Sequence, residues 1–322
     1  MEQKNKTICI IVPYFGKWPK YFSYFLESCK FNSKINWLFY TDCKIPEFYP
    51  KNVKFICATL NDFDKLASQK INLKINITYS YKLCDFKPIY GHIFEEYLKD
   101  FDFWGYSDID LIFGNIRKFL TDEILENNDI ITTYKNFVAG PLTIFKNTDK
   151  TRFLYQKSND FKKVLTSQEI FNFDESNFVF NKNIFLTNER IGKNGIESIT
   201  HLIANNKDLK IFAEDLILNI KPEDKGEIKF NNGKLIDISS GSEIFAVHFL
   251  FIRVNKEIYL PKIKKEGNFL ISSCGIYYNK LSSLKRFFIF KKINILNILK
   301  VRVGIFLQKF FPKIYYFVKK QK

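Results

Sequence analysis

The chain has 322 residues, 46% of them apolar and 17% aromatic, which excludes a mainly disordered polypeptide and suffices for one large or two small domains. Its 50 Lys and Arg against 34 Asp and Glu give a formal charge of +16, but twelve of the basic residues lie between Gly267 and Lys322, where there is no acidic one. Residues 1–266 therefore carry only +4, so the basicity belongs to a C-terminal tail and gives no reason to read the body as a nucleic-acid binder.

Residues 8–12 are a β-branched run of the kind buried on both faces, and they predict a first strand ending at Pro13-Tyr14-Phe15-Gly16. Residues 21–30 have helical spacing, with Phe22, Phe25, Leu26 and Cys29 on one side. Residues 37–40 and 53–57 read as the second and third strands, and Asn61-Asp62 as the cap of a helix reaching Ile71. Pro88 suits a first helical turn, with residues 89–98 as the helix behind it. The aromatic stretch 101–106 predicts a strand that runs into Ser107-Asp108-Ile109-Asp110. Strands at 129–133 and 142–145, and helices near 148–158 and 195–205, complete the body. This order predicts a doubly wound, mostly parallel α/β sheet in a single domain spanning residues 1–270. Such sheets bind ligands at the carboxyl ends of their strands, which directs attention to Pro13, Asp42 and the Asp108–Asp110 turn.

The six cysteines have no CxxC pair or framework spacing and read as reduced core thiols. The apolar start is too short for a signal peptide, and no segment has eighteen apolar residues without charge. No G-x-G-x-x-G, P-loop, or Ser/His/acid order is present, which argues against a dehydrogenase, an NTPase or a hydrolase.

Asp108-Ile109-Asp110 is the strongest chemical signal. Two carboxylates one residue apart at a strand end offer hard oxygen ligands to Mg²⁺ or Mn²⁺, which can neutralise a diphosphate. A solvated turn is the alternative, but apolar residues on both sides favour acids that need a cation.

Four stretches occur in order: Val12-Pro13-Tyr14-Phe15, Tyr40-Thr41-Asp42, Lys82-Leu83-Cys84-Asp85-Phe86-Lys87-Pro88, and Trp104-Gly105-Tyr106-Ser107-Asp108-Ile109-Asp110. Over roughly residues 7–255 the chain resembles bacterial glycosyltransferases of the GT-A fold, in particular an uncharacterised family found among capsule and lipopolysaccharide biosynthesis genes. The resemblance implies sugar transfer from a nucleotide donor, with Asp108 and Asp110 holding a divalent metal on the diphosphate. It places Pro13, Tyr14 and Phe15 in a nucleotide-holding loop and Asp42 near base or ribose, although a turn acid explains Asp42 equally. Lys82 and Lys87 would meet phosphate and Asp85 a sugar hydroxyl, unless Asp85 only caps a helix. Gly140 would line the sugar site or make a simple tight turn. Asp174 or Glu175 would be the base of an inverting enzyme, or a helix-start pair. His248 would be a third metal ligand or a satisfied core histidine, and Arg253 would meet a phosphate; His92 and His201 read as structural.

The tail, residues 271–322, interleaves Phe and aliphatics with lysine and predicts a helix, without a clean amphipathic face. A basic, Phe-rich helix suits an anionic membrane surface, each base contributing roughly 1 kcal/mol there. Packing on the body or on a second subunit is the alternative, and nucleic acid fits poorly because the aliphatics are too many for a solvated arm. The expectation is a metal-dependent glycosyltransferase at the cytoplasmic face of the membrane, taking a nucleotide-sugar donor and a glycan or lipid-linked acceptor. A nucleotidyltransferase and an inactive peripheral membrane-binding protein are the competing classes.

Overall fold

The computed structural model describes residues 6–187, 191–221, 224, 226–249, 259–263 and 267–278. Arg253 and the tail from residue 279 onward lie outside the described residues. The chain forms two compact units. The first comprises Met1–Asn219, Asn232–Leu235 and Glu243–His248, and the second Ile220–Asn231, Ile236–Ser242 and Phe249–Lys322.

The first unit is built on strands β1 (Ile8–Pro13), β2 (Ile35–Thr41), β3 (Val53–Cys57), β4 (Phe103–Ser107), β5 (Leu111–Phe113), β6 (Ile130–Thr132), β7 (Leu142–Lys146), β8 (Ile211–Ala213) and β9 (Ile217–Asn219). Seven of them form the sheet β3-β2-β1-β4-β7-β6-β8, in which only β7 runs against its neighbours. This is the mostly parallel α/β sheet expected. Side chains alternate across it. Cys9, Ile11, Leu38 and Tyr40 face a core that includes Phe63 and Ala67 of helix α2 (Leu60–Ile71). On the opposite face, Phe22 and Phe25 of helix α1 (Phe22–Lys30) meet Phe39 at ring distances of 5.5 and 6.1 Å. Helices on both faces make the sheet doubly wound.

Helix α2 is capped by Thr59, whose hydroxyl accepts from the Asp62 amide while Asp62 reaches back, so the cap lies two residues before the position expected. The long helix expected behind Pro88 is instead a buried 3₁₀ segment, Ser80–Ile89, followed by single turns Tyr90–Ile93 and Glu95–Tyr97. Phe94 leaves helical geometry (φ −104°, ψ 20°) and buries its ring 5.3 Å from Tyr40 and 6.0 Å from Phe63, so packing overrides helical propensity there.

A small second sheet in the same unit places the strand Ala246–His248 between β5 and β9. It pairs antiparallel with β5, His248 opposite Leu111, and parallel with β9, His248 beside Asn219. The second unit contains the antiparallel strands Ile228–Asn231, Asn268–Ser272 and Gly275–Tyr277. Residues 271–277, expected as the start of a helical tail, are therefore a strand end, a turn at Ser273-Cys274 and a second strand. The described cysteines are all unpaired thiols, mostly buried, with Cys57 exposed.

Candidate functional site

Pairing positions the site. Ser107 lies opposite Leu142 in the β4–β7 ladder, and one residue on the Asp108 amide donates to the Pro141 carbonyl at 2.9 Å. This fixes Asp108 beside Gly140 at the end of β4. The chain bends at Ile109-Asp110 and re-enters the core as β5. Because His248 is opposite Leu111, its ring reaches the preceding residue, with Nε2 3.3 Å from Asp110 Oδ1.

Asp108, Asp110 and His248 bring one ligand atom each within 4.8 Å of one another. Asp110 and His248 are each 3% exposed, and Asp108 is half-buried. His248 Nδ1 contacts Asn219 Oδ1 at 2.9 Å, and Asn219 Nδ2 donates to the Tyr134 hydroxyl at 3.4 Å. In the tautomer that donates Nδ1–H to Asn219, Nε2 points a lone pair at the carboxylates, and Nε2 is buried without a hydrogen-bond partner. Two carboxylates and an imidazole held this way suit a divalent cation. His248, considered in the sequence as a third ligand beside Asp108 and Asp110, thus lies in one group with them.

Lys87 is the second centre. Its Nζ lies 2.8 Å from Asp108 Oδ1 and 3.2 Å from Asp174 Oδ2, and donates to the Gly140 carbonyl at 2.9 Å. Burial disfavours the ammonium, but Asp108 and Asp174 outweigh it and hold the pKa well above the usual lysine range. Asp174 is 2% exposed; burial pushes its carboxyl well above the usual range, although Lys87 opposes this. Glu175 is half-buried and is raised by burial, with Lys87 and the Gly140 amide lowering it in part. More acids than cations face this centre, so a buried carboxyl here has a raised affinity for a proton.

Gly140 joins the two halves. Its carbonyl accepts from Lys87 while its amide donates to Glu175 Oε1 at 3.0 Å. A Cβ at this position would stand 2.7 Å from Glu175 Oε1 and 2.9 Å from its Cδ, so glycine is needed for the approach. The Asp174-Glu175 segment follows Asn172 at φ 54° and precedes Asn177 and Phe178 at φ 47° and 67°. It is a hydrogen-bonded turn, and the helix start considered for this pair is not formed. The Glu175 carbonyl accepts from Ser198 and Thr200 hydroxyls at 2.8 and 2.5 Å.

The remaining candidates are placed differently. Lys82 Nζ lies 2.7 Å from Asp85 and donates to the carbonyls of Val164 and Glu169, while Asp85 accepts the Phe171 and Phe173 amides. Both residues are at most 1% exposed, so their polar atoms hold the chain that carries Asp174, and donor contact is replaced by a buried structural pair. Lys87 likewise meets carboxylates where a phosphate had been expected. Phe15 is 8% exposed and packs on Tyr40 and Phe63, so it belongs to the core and not to an open nucleotide loop. Pro13 and Tyr14 are half-buried beside it, with Tyr14 stacked on Trp18 at 5.2 Å. Asp42 is exposed, and its Oδ1 accepts the Gly16 amide at 2.7 Å, tying the ends of β1 and β2 together. Gly16 stands at φ 107°, a backbone that side chains rarely adopt. Structural roles hold for His92, bonded to Tyr155, and for His201, which sits on Ser198 at the start of the helix Ile199–Ala204. Asn219 and Tyr134 were missed, because neither belongs to a local motif and only strand pairing brings them to His248.

The sequence matches none of the curated proteins. Among solved structures, the galactosyltransferase LgtC in complex with donor and acceptor sugar analogs is similar at 14% identity and TM-score 0.29 over 50% of this chain. GlyE of Streptococcus pneumoniae TIGR4 is similar at 13% and 0.30 over 50%, and mouse xyloside xylosyltransferase 1 at 9% and 0.34 over 66%. The chain spans 66%, 42% and 86% of those three chains respectively. Likeness of this degree says nothing of what this chain binds. A family model matches residues 10–284, and the chain belongs to that family, a family of unknown function (DUF6625).

Proposed function

We propose that the protein is a metal-dependent glycosyltransferase that moves a sugar, of the hexose class, from a nucleotide-sugar donor to a glycan acceptor. The observation that carries this reading is the convergence of Asp108, Asp110 and His248 at the end of β4, beside the Lys87–Asp174 pair and Glu175. Asp108, Asp110 and His248 would hold Mn²⁺ or Mg²⁺, and such an ion supplies charge neutralisation for a departing diphosphate. Lys87 keeps Asp108 and Asp174 oriented. Of the adjacent acids, Glu175 is the more open and is anchored through Oε1, so it is the one placed to take a proton from an acceptor hydroxyl if the reaction inverts. The basic tail would carry the enzyme to the cytoplasmic face of an anionic membrane, where acceptors for capsule or lipopolysaccharide are assembled. No helix among the described residues is long and apolar enough to cross a membrane.

Purified protein with Mn²⁺, offered a panel of nucleotide sugars, should bind or slowly hydrolyse at least one, and Asp110→Asn should abolish this while staying folded. If no donor is bound or hydrolysed, the reading fails. Liposome flotation of the full chain against a chain ending at Leu281 tests the tail, and equal flotation removes the membrane role.

A further inference from the structure

The acids and the cation group leave an exposed aromatic ledge without a use. Phe178 and Phe180 are 37% and 45% exposed. Phe180 meets Phe137 at 5.5 Å, and Phe137 meets Tyr134 at 5.4 Å. Phe178 lies 6.5 Å from Phe180 at nearly a right angle, so the two rings form the sides of a corner. Lys135, next to Tyr134 in the chain, and Asn181 and Lys182, directly after Phe180, are exposed, so the segments that carry the rings have a polar margin.

The ledge is continuous with the acids. One side is residues 134–140 and the other residues 175–184, and they are joined at both ends: by the Gly140 amide on Glu175 at one, and by the Ile184 amide on the Asn136 carbonyl at 2.8 Å at the other. Between these, Thr200 ties the Val138 amide to the Glu175 carbonyl. Tyr134, at the foot of the ledge, reaches Asn219 and through it His248. Its hydroxyl is pushed up to about 12, first by burial and in part by Glu175, Asp108 and Asp110, which places it within the field of both acid groups. Phe178 stands at φ 67°, a conformation that a bulky side chain adopts only when its surroundings impose it.

We propose that Phe178 and Phe180, backed by Phe137, form the acceptor subsite, on which one pyranose ring rests its C–H face while a hydroxyl is turned toward Glu175. The chemistry selects a sugar. Aromatic faces carry partial negative charge and attract the polarised C–H groups of a pyranose, whereas the polar margin limits the apolar area to about one ring. A protein partner would need roughly 800 Å² on its side, far more than two partly exposed rings offer. This inference rests on the sugar-transfer reading for its name as an acceptor site, but its test does not.

The test uses the full chain and methyl glycosides of galactose, glucose and N-acetylglucosamine, followed by saturation-transfer NMR without any donor. At least one glycoside should take up saturation through its ring protons. Phe180→Ala and Phe178→Gly should reduce that signal at least tenfold, and Phe180→Tyr should retain it. Phe178→Gly also relieves the left-handed backbone, so its melting temperature should hold or rise; a fall would mean that the ring is a packing element. The inference is overturned if no glycoside binds the parent protein, if Phe180→Ala binds as well as the parent, or if nucleoside diphosphate binding falls together with glycoside binding, which would put a nucleobase on the rings. If the parent hydrolyses no donor yet binds a glycoside through these rings, the transferase reading fails and the sugar site stands.

Discussion

Replacing Lys87 by Met removes one ammonium and strands three partners: Asp108 at 2.8 Å, Asp174 at 3.2 Å and the Gly140 carbonyl at 2.9 Å. Removing one partner of a buried pair costs about 3–5 kcal/mol. Asp108 retains 30% side-chain exposure and recovers part of its hydration, which argues for the lower end, about 3 kcal/mol at pH 8. The sign of the pH dependence follows from Asp174. Burial raises its folded pKa and Lys87 lowers it, so the variant raises it further. A carboxyl with a raised folded pKa contributes stability that is lost as pH rises through that value. The deficit of Lys87→Met should therefore be small near pH 5 and grow toward pH 8. Urea denaturation of parent and variant at both pH values, with unchanged m, measures it. Adding Asp174→Asn to the variant should recover part of the loss at pH 8, since it removes the stranded charge. A deficit equal at both pH values, or no recovery, would refute the assignment of Lys87 as counter-ion to Asp174.

Other substitutions separate the roles of neighbouring residues. Gly140→Ala puts a methyl group 2.7 Å from Glu175 Oε1 and should displace that carboxylate, costing about 1–3 kcal/mol of stability by loss of its amide bond; an unchanged melting temperature would show that the loop yields freely. Asp85→Ala leaves Lys82 charged and buried and should destabilise by about 3–5 kcal/mol, while the folded fraction still binds nucleotide, as calorimetry can show. Phe15→Ala should behave as a core truncation of about 3–5 kcal/mol in urea, against the small effect of a surface loop. Asn219→Ala frees the His248 ring and should weaken Mn²⁺ binding about 10- to 100-fold by paramagnetic resonance titration.

The regular part of the fold was legible because periodicity reports burial directly. The runs at β1 and β4 are buried on both faces, and the sequence places them within two residues of where they lie. The Asp108-x-Asp110 turn was legible for a related reason, since acids between apolar runs need a partner. Lys82 and Asp85 misled because a lysine and an acid near a helix start look the same whether they face solvent or each other; their 2.7 Å contact depends on the chain at 164–173 folding over them. The helix behind Pro88 failed where Phe94 found a better packing site than helical geometry allows. Asn219 was invisible because its meaning lies in register with a strand some thirty residues later.

That register has a consequence for how the chain closes. His248 comes to Asp110 only when the strand Ala246–His248 docks between β5 and β9, so two carboxylates from the middle of the chain and an imidazole from far downstream share one point. A cation bound there would act as a clasp on a long loop and favour the native state by an amount that grows with the logarithm of its concentration over Kd, about 2.7 kcal/mol at a hundred times Kd. Removing the metal from a loaded protein should then lower the protection of the strand Ala246–His248 first, because the cation would be what pins His248 to Asp108 and Asp110.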